Sequence, residues 1–106
     1  MHLSLQDAAA LLRDHPKPFI ELFNGHGIAV ELYAPKGRDP QQPHDRDELY
    51  VVTSGTGTFR NGETIADFEP GDLLFVPAGV VHRFETFSKD FATWVIFVGP
   101  VGGSPK

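Results

Sequence analysis

The sequence predicts an all-β fold: a sandwich or barrel of antiparallel sheets, preceded by one short helix. Three observations carry this. Only one stretch has helical spacing. About eight short apolar runs follow it, rich in β-branched and aromatic residues. Eleven glycines and nine prolines punctuate those runs at close intervals, which favours short strands joined by tight turns.

The helix is expected from Ser4 to His15. Ser4 can cap it, with Asp7 three residues on, and Leu5, Ala8, Ala9 and Leu12 recur at helical spacing. Pro16 and Pro18 stop it. Strands are then expected at 19–24 and 28–34, joined by Gly25-His26-Gly27, and at 48–53 after a Pro/Gly/Asp/Gln-rich loop. Runs at 56–60 and 63–68 flank Asn61-Gly62, a strong hairpin signal because both residues tolerate positive φ. Runs at 73–76, 82–87 and 92–98 complete the set, and 99–106 is expected to be a loose tail. A chain of 106 residues with no repeat and no linker reads as one domain: lead-in 1–17, barrel 18–98, tail 99–106.

Composition narrows the function classes. The net charge is −5 and there is no run of Lys or Arg, which argues against a nucleic-acid partner. The absence of cysteine removes disulfides, thiolate metal sites and a thiol nucleophile. The longest nearly apolar run, 73–81, is interrupted by Pro77 and too short to span a bilayer. With no apolar signal core at the start, a cytoplasmic protein is expected.

The residues that can do chemistry lie in two stretches, 43–55 and 71–82. His44 and Glu48 are four apart, so on an extended strand they would share a face with Gln42. Arg46 has the same parity and would repel a cation, which calls for an irregularity before Glu48. His82 opens a run in which His82, Phe84 and Thr86 alternate with Arg83 and Glu85. A neutral histidine entering an apolar interior needs a partner, and a metal ion is one. Each of these residues alone reads as a surface or hydrogen-bonded core residue. Together they read as ligands, with His44, Glu48 and His82 as ordinary ones for Fe, Mn, Zn or Ni and the Gln42 amide as a weaker one. His2, His15 and His26 have no such context. No nucleophile elbow and no phosphate loop is present.

These stretches resemble the two motifs of the cupin superfamily. The first matches at His44, then Asp45-Arg46-Asp47, then Glu48 and six residues to Gly55; the second matches at Gly71, Pro77, Gly79 and His82. Gln42 stands where the family has its first histidine, Gly37 is one residue late, and Thr86 replaces a terminal asparagine. The resemblance implies a small antiparallel β-barrel or jelly roll with a divalent transition metal inside. It also implies a homodimer, with the helix and the strand 19–24 as interface candidates. Family members of this size resemble dioxygenases, isomerases, decarboxylases and lyases acting on small molecules. Tyr50, which shares parity with Glu48, is then a candidate catalytic group, and Phe84 and Trp94 are candidate walls. Two further readings stay open: a barrel that binds a small ligand or metal without turnover, and a metal-free barrel in which Gln42 marks a lost site.

Overall fold

The computed structural model describes residues 1–103. One helix, α1 (Leu5–Arg13), precedes eight strands: β1 (Phe19–Gly25), β2 (Ile28–Tyr33), β3 (Asp47–Ser54), β4 (Gly57–Asn61), β5 (Thr64–Phe68), β6 (Leu73–Val76), β7 (His82–Phe87) and β8 (Ala92–Val98). The strands form a five-stranded sheet in the order β1-β2-β8-β3-β6 and a three-stranded sheet in the order β5-β4-β7. Every pairing is antiparallel. This is an antiparallel sandwich of the kind that the run of short strands predicts, in the jelly-roll form that the cupin resemblance implies.

Local chemistry accounts for the elements. Ser4 caps α1, its hydroxyl accepting from the Asp7 backbone N–H at 3.0 Å. The β1–β2 hairpin closes on His26-Gly27, both at positive φ, which matches the twist of the strands. The next hairpin turns one residue later than expected. Asn61 pairs with Thr64, so the loop is Gly62-Glu63. Gly62 takes the positive φ by itself, while the Asn61 amide donates to the Phe75 carbonyl and holds that residue on β4. At Gly57 a Cβ would stand 2.0 Å from the Thr86 carbonyl oxygen, so only glycine lets β4 approach β7 there.

The core lies between the sheets. Tyr33, Tyr50, Val52, Val76 and Val95 face Phe59, Phe68 and Phe84, with Phe91 closing one end. Outward residues of the larger sheet are apolar too. Register aligns Leu32, Trp94, Val51 and Leu73 in one row, and Val30, Ile96, Leu49 and Phe75 in the next. α1 covers only the β1–β2 side. Trp94 therefore belongs to the outer surface and not to an interior wall, because its neighbour Val95 takes the inward position.

Two regions depart from the expected loose segments. The loop between β2 and β3 is pinned by Asp39, which is 3% exposed. Its carboxylate accepts from the Tyr33 hydroxyl at 2.6 Å, the Phe84 N–H at 2.9 Å and the Gln41 amide at 2.8 Å. The segment after β8 is also tied down: Gly99 donates to the Gly27 carbonyl and Gly102 to the Asp45 carbonyl. Residues 104–106 of the expected tail lie outside the described residues.

Candidate metal centre

The sandwich brings the two motif stretches together at one end. Glu48 is the second residue of β3 and pairs with Val76 and Phe97, which turns it inward. His82 opens β7 on the opposite sheet. His44 sits in the irregular segment before β3. The Pro77–Gly79 turn clamps that segment: Gly79 N–H donates to the His44 carbonyl at 2.7 Å, and the Asp47 carboxylate accepts from Ala78 N–H at 2.9 Å. Gly79 of the second motif thus holds the histidine of the first.

The three side chains converge. His44 Nδ1 lies 2.9 Å from Glu48 Oε1, and His82 Nε2 lies 3.2 Å from the same oxygen. Glu48 and His82 are fully enclosed, whereas His44 is about one-third exposed. Phe97 meets the His44 ring edge-on at 4.9 Å between centroids. Burial by itself would push the Glu48 carboxyl up, but His44 and His82, with the Tyr50 hydroxyl nearby, outweigh it and hold that group at about 2. Glu48 is therefore an anion across the ordinary pH range. Burial lowers the His82 imidazole, but Glu48 and the Val80 carbonyl raise it more.

The hydrogen bonds of His82 decide what the group is built for. Its Nδ1 lies 2.9 Å from the Val80 carbonyl, which can only accept, so Nδ1 carries the proton. In the neutral ring Nε2 is then a bare lone pair aimed at a carboxylate. Among the described residues, the buried side-chain polar atoms left without a hydrogen-bond partner are His82 Nε2 and Glu48 Oε2. A bare imidazole lone pair 3.2 Å from a carboxylate oxygen is costly when buried unless a proton or a metal cation lies between them. Donor atoms bound at about 2.1 Å and at right angles around one ion stand about 3.0 Å apart. The observed 2.9 and 3.2 Å fit that edge length. His44, Glu48 and His82 also form the one His/Cys/Asp/Glu group with metal-ligand spacing among the described residues. These residues fit a divalent transition metal.

Residues 34–46 are not a strand, so the parity that would place Gln42 beside His44 does not operate, and Gln42 is exposed. Gln41 takes the inward position: its amide nitrogen donates to Asp39 and its oxygen accepts from the Tyr50 hydroxyl at 2.9 Å. For the same reason Arg46 does not oppose a cation. Its guanidinium donates to the carbonyls of Gly99 and Gly27. Tyr50 is completely buried, and its phenol is kept protonated, first by burial and then by the Glu48 charge.

A cavity of about 600 Å³ reaches His44 from outside, walled by Phe19, Glu31, Tyr33, Gln41 and Phe97 among others. That size suits a small organic molecule. Tyr50 does not line it, since Gln41 stands in front. Glu31, Gln41 and Asp39 escaped the sequence reading. The available signal for Glu31 was parity, because Ala29, Glu31 and Tyr33 alternate inward along β2. The Glu31 carboxyl is pushed up, chiefly by burial and then by Glu21.

Comparison with known proteins agrees with this architecture. The family profile described as a cupin domain, Cupin_2, matches residues 29–98. An uncharacterized protein of Streptomyces coelicolor is 33% identical over 84 residues, covering 77% of this chain and 80% of its own. Acireductone dioxygenase 1 of Coprinopsis cinerea is 43% identical over 47 residues, which is 39% of this chain and only 26% of that protein. Among solved structures, a cupin-2 domain containing protein of Shewanella frigidimarina superposes with a TM-score of 0.70 at 19% identity, covering 92% of this chain and 94% of that one.

Proposed function

The chain belongs to the Cupin_2 family of cupin domains, and from that premise we propose that it is a metal-dependent enzyme acting on a small organic molecule. His44, Glu48 and His82 hold the ion, and the neighbouring cavity holds the substrate. The carrying observation is the pair of buried, unpartnered atoms, His82 Nε2 and Glu48 Oε2, beside His44.

Two imidazoles and a carboxylate leave coordination positions open, so the bound metal supplies Lewis-acid or one-electron chemistry to a ligand that enters there. The remaining work falls to the protein's own groups. Val80 fixes the His82 tautomer through its carbonyl. Asp39 orients Gln41, Gln41 orients Tyr50, and Tyr50 stays protonated beside Glu48, which makes it a positioning residue for the carboxylate. Phe19, Tyr33 and Phe97 give the cavity apolar walls that exclude water from the substrate. The local similarity to a dioxygenase supports the oxygen-using version of this reading over isomerase or lyase chemistry.

Protein purified without an affinity tag is expected to carry near-stoichiometric Fe, Mn, Ni or Zn by elemental analysis. His44→Ala and His82→Ala should each lose it. Retention of metal by both variants would sink the ligand assignment. Oxygen uptake by the Fe-loaded protein with a panel of phenols and keto acids then tests turnover.

The same protein is proposed to be a homodimer. The two apolar rows outside the larger sheet end at Leu73 and Phe75, which are 64% and 50% exposed on the edge strand β6. A second copy would cover both them and the edge. The double change Leu73→Asp/Phe75→Asp should convert the protein to a monomer in light-scattering chromatography. An unchanged mass would refute this face.

A further inference from the structure

A second cavity, of about 650 Å³, lies between α1 and the larger sheet. Its composition is unlike that of the chain around it. Arg13, Lys17, Lys36 and Arg38 line it, four of the nine Lys and Arg residues of a chain with net charge −5. His15 joins them, and none of the thirteen lining residues is Asp or Glu. Among the described residues none of these four cations is in an ion pair; Lys17 lies over the Phe19 ring at 5.8 Å. The floor beneath them is apolar: Leu12 from the helix, Leu32 from β2, which is 1% exposed, and Ala92 from β8. Pro16, Pro18 and Pro40 form much of the wall, so little chain must be ordered for a ligand to enter.

Four like charges lining one cavity without ion-pair partners repel one another, whereas Arg60 on the other sheet is paired with Glu85 at 2.6 Å. An apolar floor under a cationic rim is complementary to a ligand with an apolar body and an anionic head. We propose that this cavity is a second binding site, for an amphiphilic carboxylate: an alkyl or aryl body lying on Leu12, Leu32 and Ala92, with its carboxylate among Arg13, Lys17, Lys36 and Arg38. The site shares Lys17, Pro18 and Pro40 with the cavity that reaches His44, so an occupant would sit beside the mouth of the metal centre. It does not require a bound metal.

Isothermal titration with decanoate tests this, with 1-decanol as the uncharged body and inorganic phosphate as the charge without a body. Decanoate should bind saturably, one per chain, and at least ~10-fold more tightly than either control. The Arg13→Gln/Arg38→Gln variant should lose ~10-fold or more, while Arg60→Gln, on the other sheet, should bind like the parent. His82→Ala should also bind like the parent, which separates this site from the metal centre. Equal affinity for decanol, an unaffected Arg13→Gln/Arg38→Gln variant, or loss of binding in His82→Ala would each overturn the proposal. So would binding seen only where decanoate forms micelles, which would indicate attraction to an anionic surface.

Discussion

The two ends of the sandwich put the space between the sheets to opposite uses. At one end Phe68, Phe84 and Phe91 stack with ring centroids 4.6 to 5.4 Å apart and close the interior. At the other, Glu48 of β3 and His82 of β7 turn inward, and the interior opens toward a cavity. β7 shows the contrast within three residues. Phe84 gives its side chain to the core, while His82 leaves a buried nitrogen without a hydrogen bond. The aromatic end stabilises the fold by burying large apolar area. The polar end gives up part of that stability to bury charge beside a cavity.

That contrast can be broken at either end. The largest effect is expected from Phe84→Ala, which removes the ring contacting Tyr50, Phe59, Phe68 and Phe91. It should cost about 3–5 kcal/mol in denaturant unfolding. Next is His82→Ala at the polar end. It should weaken metal binding by more than ~100-fold in a competition titration, with a smaller loss of metal-free stability than Phe84→Ala. If the metal-free protein falls by as much, the two ends are not separable in the way described.

A smaller effect is expected at the link between the ends. Asp39→Asn places an amide N–H₂ against donors from Gln41, Phe84 or Tyr33, so at least one buried bond is lost. The cost should be ~1–3 kcal/mol of stability, and metal affinity should fall with it because Gln41 and Tyr50 lose their support. The smallest effect is Tyr50→Phe, which removes one hydrogen bond to Gln41 and should cost ~1 kcal/mol. Its informative readout is turnover. A kcat unchanged in the metal-loaded variant would show that Tyr50 serves the core alone.

The strands themselves were legible because each carries its own turn chemistry and alternation. All eight begin and end within one residue of the expected bounds, and those at 73–76, 82–87 and 92–98 match outright. The loop 34–46 was not legible. Alternation is meaningful only where the backbone is extended and paired, and that segment is neither. Carrying strand parity through it brought Gln42 inward in place of Gln41 and raised a conflict at Arg46 that does not exist. The Asn61-Gly62 hairpin slipped by one for a related reason: the contact that holds Asn61 on its strand comes from Phe75, fourteen residues away.

By itself the sequence determined the class of fold, the place of its turns and the identities of His44, Glu48 and His82. Those depend on local periodicity, on glycine and proline geometry and on motif spacing, all of which are written along the chain. Only the tertiary structure decided that the three side chains share one oxygen within 3.2 Å, and that Asp39 anchors the loop above them. Only it gathered Arg13, Lys17, Lys36 and Arg38 around one cavity. Which side chains meet across two sheets is set by register and by long-range hydrogen bonds, and neither leaves a local mark in the sequence.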